Sequence, residues 1–357
     1  MHQQYLSFLS MMTRSALKLF WSQFLLLAML LAGCVDPIDL GTNPDIRGQL
    51  VVEGWVNDVD SIHVIKLRTS TANGVGSNTL GVGAQVRITA EDGETALLQE
   101  VFPGSYETLP GELMGRAGAS YQLQVILANE QQYVSDLVTL PEPVHMSNTT
   151  DEFIESRGTT DNGTPFVNYS HNIITELENT ETQHFVRLQT IGWARSRVDY
   201  DLIPAGPLEC WALRNPIDRD VVLTSNVGIA GASYSSPVVN IPADFRADYI
   251  VEIFADAMSL EAFAYWEQAR VQLARGGGVF DPPFAPVVGN IRNVNDPNEI
   301  VLGYFHAYAQ TMTRYCYSRT GVPGRYEIPI FMDLTLCTDF YAPAVFELPF
   351  DDAAICP

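Results

Sequence analysis

Basic residues are scarce in this sequence: 20 Lys and Arg stand against 42 Asp and Glu, a formal net charge of −22 over 357 residues. A field of that sign repels phosphate backbones and anionic headgroups, which excludes nucleic acid and a basic membrane-binding patch as partners. The acidic residues are dispersed along the chain, so they read as a solvated surface, with cation binding as the alternative. Cysteine is sparse, five in all, with no Cys-x-x-Cys and no His at ligand spacing from any of them, which argues against a metal site. Catalytic motifs are missing too: no Gly-x-Ser-x-Gly elbow, no His-Glu-x-x-His, no phosphate-binding glycine loop with its Lys. His63, His145, His171, His184 and His306 are scattered and read as structural or surface residues. Asp58/Asp60, Asp199/Asp201 and Asp351/Asp352 lack the spaced pattern of a calcium loop. No internal repeat is visible. Long apolar runs are absent as well; the single run, Phe20 to Leu31, is too short to span a bilayer.

That run is nevertheless the most telling stretch present. Arg14 and Lys18 precede it, and Leu31-Ala32-Gly33-Cys34 closes it. Basic residues, a short apolar core and small residues before a cysteine resemble a bacterial lipobox, in which the cysteine is acylated and the signal peptide is cut before it. The expectation is a signal peptide over residues 1–33, lipid on Cys34 and a Pro/Gly/Asp-rich tether over 34–46. An ordinary secretory signal is the alternative. Met11 or Met12 would give a more usual signal length than Met1. Setting Cys34 aside leaves Cys210, Cys316, Cys337 and Cys356, and an even set in an exported chain predicts two disulfides. The short C-terminal loop favours Cys337–Cys356, with Cys210–Cys316 as the second bridge.

The remainder alternates with period two in many short runs, which predicts a mainly β chain of two antiparallel sandwich-like domains. The first, residues 47–141, is expected to be Ig-like or transthyretin-like. Its strands are read at Gln49 to Val56, Ile62 to Arg68, Ala84 to Ala90, Ala96 to Glu100, Tyr121 to Leu127 and Tyr133 to Leu140. In the second of these, Ile62 and Val64 are expected inward with Ile65 or Leu67, and His63, Lys66 and Arg68 outward. Pro141-Glu142-Pro143 marks the boundary to a β-rich domain over 142–357. There Phe166 to Leu177 and His184 to Ala194 read as a hairpin that faces His171 to His184. One helix is expected over Leu260 to Arg275. Ser259 caps it, Met258 and Phe263 staple it, and Ala262, Trp266, Ala269 and Leu273 share a face before Gly276-Gly277-Gly278 stops it.

Binding candidates gather after that helix. Phe280, Asp281 and Phe284 lie in a Pro-rich stretch, followed by Asn290 and Asn293; aromatic residues there suit partner anchoring, whereas Asn and Asp also suit plain turns. Glu261-Ala-Phe263-Ala-Tyr265-Trp266, Gly278-Val-Phe280-Asp281-Pro282-Pro283, Gly289-Asn290-Ile291 and Ile300-Val-Leu-Gly303-Tyr304-Phe305 occur in order, with Leu50-Val51-Val52-Glu53-Gly54 and Gly104-Ser-Tyr106 upstream. Together these resemble an uncharacterised family of Bacteroidetes outer-membrane lipoproteins, a domain-of-unknown-function family encoded near TonB-dependent receptors. The resemblance implies an accessory lipoprotein on the periplasmic or outer face of the outer membrane, held by acyl chains and partnered by a TonB-dependent receptor. It implies no catalytic residue, metal or cofactor. A secreted hydrolase or carbohydrate-acting enzyme and an adhesive surface module are the alternatives.

Overall fold

Alternating burial organises the chain as strands. The computed structural model describes residues 48–71, 74–75, 81–160, 162–198, 208–214, 221–242, 249–273, 287–317 and 344–345. The signal segment, Cys34, the tether, Phe280, Asp281, Phe284, Cys337 and Cys356 lie outside the described residues. The strands, in chain order, are β1 Leu50–Asn57, β2 Val64–Thr71, β3 Gly74–Val75, β4 Gln85–Ala90, β5 Thr95–Phe102, β6 Ser105–Glu107, β7 Ser120–Ile126, β8 Gln132–Ser135, β9 Val138–Thr139 and β10 Met146–Thr159. They continue as β11 Pro165–Glu178, β12 Phe185–Val198, β13 Leu208–Arg214, β14 Val222–Ser225, β15 Ser233–Pro242 and β16 Tyr249–Met258. Helix α1, Leu260–Leu273, precedes β17 Ile291–Asn293, β18 Leu302–Tyr317 and β19 Ala344–Val345. The protein is mainly β with one helix among the described residues.

A large mixed sheet runs β17-β8-β7-β4-β5-β6-β2-β1-β18-β16-β12-β13-β19, and β10-β11-β15 form a small second sheet. Every pairing is antiparallel except one: β1 runs parallel to β18, from Val51 opposite Leu302 to Asn57 opposite Tyr308. This contact ties the start of the described chain to residues some 250 positions later, a span that a parallel pair requires in the form of a crossover. The β8–β17 pair, Ser135 opposite Ile291, makes a second such tie. Val52, Val56, Ile65, Leu67, Val86, Ile88, Leu123, Val251, Ile253 and Phe305 are buried in one continuous core.

Several local readings change. In β2 the inward residues are Ile65 and Leu67, and His63 just before the strand is buried with them, while Ile62 is exposed. Polar partners make this possible: His63 Nε2 lies 2.9 Å from the Leu113 carbonyl, and its N–H donates to Thr108 Oγ1. The expected hairpin between residues 166–177 and 184–194 does not form. β11 pairs with β10 and β15, and β12 pairs with β13, β14 and β16. Thus His171 and His184 do not face one another; each has its own partner, Asp151 and Tyr234 respectively. Both strands alternate well enough to pair with anything, and burial of the non-local faces decided the outcome.

The order β18-β16-β12-β13 also separates Cys316 from Cys210 by three interstrand spacings, about 14 Å of backbone. A disulfide needs Cα atoms within about 7 Å, so the Cys210–Cys316 bridge is not compatible with this sheet.

The helix forms where its caps direct. Ser259 Oγ accepts the Ala262 N–H at 3.2 Å, and the Ser259 carbonyl accepts the Phe263 N–H at 3.0 Å. Met258 and Phe263 join the same apolar cluster. The expected apolar face is engaged only at its N-terminal end: Ala262 is buried and Trp266 half-buried, whereas Leu273 is 69% exposed.

Candidate functional site

The face of the large sheet beneath α1 is unusually polar and aromatic. Alternation along β18 sends Tyr304, His306, Tyr308 and Gln310 to one side and Phe305, Ala307 and Ala309 to the core. Parallel register sets Glu53, Trp55 and Asn57 of β1 beside Tyr304, His306 and Tyr308. On the other flank, Asp256 of β16 sits opposite Gln310, and Arg187 of β12 opposite Asp256. Trp266 reaches down from α1 to cover the Arg187 guanidinium, 4.4 Å from its ring centroid, a cation–π contact.

Asp256 is fully buried and both of its oxygens are hydrogen-bonded. Arg187 donates to Oδ2 from Nη2 at 2.9 Å and from Nε at 3.3 Å; Gln189 donates to Oδ2 and Gln310 to Oδ1. The Gln310 backbone N–H in turn donates to Asp58 Oδ1 at 2.8 Å. A carboxylate so enclosed holds three strands in register, and its burial closes it to an approaching substrate. The tyrosines likewise stay protonated. Burial, with Asp256 nearby, pushes Tyr308 up to about 12, and its hydroxyl accepts from Asn57 Nδ2 at 3.1 Å. Burial pushes Tyr304 and Tyr265 up to about 12 as well, reinforced by Glu261 at Tyr304 and by Glu53 at Tyr265.

His306 is the one buried base in this cluster. Burial first, and the Arg187 charge second, hold its imidazole well below the usual value of 6.5. Its Nδ1 and the Trp266 indole Nε1 are buried without a hydrogen-bond partner. The ring is packed by Tyr308 at 5.3 Å and Trp266 at 6.2 Å between centroids. Linkage fixes the sign of the pH effect. Below about 6.5 the unfolded chain takes up a proton that folded His306 refuses, so stability falls with pH until the folded value is passed. Replacing His306 with Gln is expected to flatten the acid limb of a urea-stability profile by up to about 1.4 kcal/mol per pH unit below 6.5. An unchanged slope would show that His306 titrates freely in the fold. His63 and His184 are lowered for the same first reason, burial, and add to the slope in the same sense.

A second cluster joins the small sheet to β18. Asp151 of β10 lies 2.6 Å from His171 Nδ1 and accepts from the Tyr315 hydroxyl, while the His171 ring lies 3.9 Å from the Tyr317 ring. Burial, and then the Asp151 contact, push the Tyr315 hydroxyl up. Among the described residues no group of three or more His, Cys, Asp or Glu is placed to hold a metal ion.

Asn290 and Asn293, the described members of the candidate binding set, bond their own surroundings. Asn290 donates to the Phe305 carbonyl at 2.7 Å and accepts its N–H at 3.0 Å, replacing a strand partner for β18. Asn293 Oδ1 accepts the N–H groups of Asn295 and Asp296, and its amide donates to Glu299. Next to them, a Cβ on Gly289 would strike the Gly303 carbonyl, and a Cβ on Gly303 would strike that of Val52. The segments 50–54, 289–291 and 300–305, quoted above for a family likeness, therefore meet at one junction.

Sequence reasoning missed the Arg187–Asp256 pair, whose members are 69 residues apart. The one local signal was an acidic residue set in a short apolar run, Ile253-Phe254-Ala255-Asp256-Ala257. A family model described as a domain of unknown function (DUF4249) matches residues 35–314. No curated protein matches the chain.

Proposed function

The chain belongs to the DUF4249 family, and from that premise we propose that it is a lipid-anchored, non-enzymatic accessory protein of the bacterial outer membrane. In this reading it partners a TonB-dependent receptor. The observation that carries the non-enzymatic part is the buried Asp256 node: its carboxylate is bonded by Arg187, Gln189 and Gln310 and serves the sheet. The half-buried aromatic shelf of Trp55, Tyr265, Trp266 and Tyr304 at the edge of that node supports a protein-binding role, since aromatic residues dominate interface energetics. Leu31-Ala32-Gly33-Cys34 supports acylation, and the four further cysteines suit a chain exported from the cytoplasm.

Growth with labelled palmitate tests the anchor. Wild-type protein is expected to carry label in the membrane fraction, and Cys34→Ser to lose the label and become soluble; a labelled Cys34→Ser protein overturns the anchor. A pull-down from native membranes after mild crosslinking tests the partner. Recovery of an outer-membrane barrel is expected, and a chain that purifies alone overturns the reading.

A further inference from the structure

Among the described residues the small sheet ends in an exposed edge. β10 lies at the margin of β10-β11-β15, and among the described residues it pairs with β11 alone. The described pairing between β11 and β15 reaches Ser170 opposite Pro242, and β10 and β11 stay paired with one another beyond it as a ribbon to the turn at Thr160–Thr164. In that ribbon Glu155, Ser156, Arg157, Thr159, Phe166, Val167 and Asn168 are all exposed. An open strand edge offers a row of N–H and C=O groups to another chain. Natural edges are usually blunted by shortness, proline, lysine or a bulge. Residues Glu152 to Thr159 contain no proline or lysine, and the single register shift lies at the far end, between Met146 and Asn148.

We propose that the β10 edge from Glu152 to Thr159 is a docking site for an extended, basic segment of another protein, which adds to it as a further strand. Main-chain hydrogen bonds would supply affinity in such an addition and side chains the selectivity. Charge chooses the occupant. Glu152 and Glu155 are exposed along the edge, and the single cation, Arg157, is already bonded to Glu155 at 2.7 Å. A second copy of this chain, at net −22, brings like charge, whereas Lys or Arg on an incoming strand meets opposite charge. Phe153, stacked on Tyr169 at 5.6 Å, offers an apolar and aromatic contact at the base of the ribbon. The identity of the partner as a transporter is not required.

Hydrogen exchange on the full chain with two synthetic β-branched peptides of about ten residues, one alternating Thr/Val with Lys and one with Glu, tests this. The Lys peptide is expected to slow exchange of alternate amides between Glu152 and Thr159 by about tenfold or more, and 1 M salt to reverse most of that. The Glu peptide is expected to leave them unchanged. Glu152→Lys with Glu155→Lys, checked for unchanged circular dichroism, is expected to exchange the two preferences. Protection by neither peptide, equal protection by both, or protection that rises with protein concentration alone would overturn the proposal, the last by pointing to self-pairing. None of these outcomes depends on the membrane pull-down, so the two readings fail separately.

Discussion

Asp256→Ala is expected to cost about 3–5 kcal/mol of folding free energy, because it strands the Arg187 guanidinium in the interior. The loss has three parts. Arg187 keeps only its contact with the Trp266 ring, Gln189 and Gln310 lose their acceptor, and β12, β16 and β18 lose the side-chain tie that fixes their register. A buried pair is not itself a strong source of stability, since desolvation offsets most of its attraction; the penalty comes from breaking it one-sidedly. Arg187→Met with Asp256→Leu is therefore expected to recover most of the loss, the non-additivity of residues in contact. Urea unfolding of the wild type, Asp256→Ala and the double variant measures this. A single-mutant cost below about 1 kcal/mol, the range of exposed pairs, would show that solvent reaches the node.

Gly303→Ala is expected to be at least as damaging, above about 4 kcal/mol, and to leave little folded protein. Gly303 has a φ of +88°, in the left-handed region, and a Cβ there meets the Val52 carbonyl across the parallel β1–β18 pair. Backbone on both sides has no rotamer to yield. Gly228→Ala separates the two causes: its φ is +77°, but a Cβ there has nothing within 4 Å. That substitution is expected to cost only the conformational strain, about 1–2 kcal/mol. If both variants unfold at the same urea concentration, close packing at Gly303 is not what holds the β1–β18 junction.

These two sites show how differently the sequence disclosed its parts. Gly303 stood inside a visible motif, with Gly289-Asn290 before it and Leu50-Val51-Val52 far upstream. What the motif was for could not be read, because a glycine needed for a close approach looks like a glycine in a turn. Once β1 and β18 lie side by side, it is a packing junction: Asn290 grips the Phe305 backbone, Gly289 admits Gly303, and Gly303 admits Val52. Asp256 carried no motif, and its partner was chosen by register across β12 and β16.

By itself the sequence determined what could be read over a few residues. Short strand-like runs marked β1, β4, β5 and β7, because a strand sends successive side chains to opposite faces whatever it pairs with. Ser259 and the apolar residues beside it placed the start of the helix, because a cap acts within one turn. Composition set the acidic surface. Tertiary structure alone decided which strand lies beside which: the parallel joining of β1 to β18, the separation of β11 from β12, the inward turn of His63, the burial of Asp256 on Arg187 and the open edge of β10. Pairing depends on which distant face can be buried and which buried polar group finds a partner, and neither is written in any one strand.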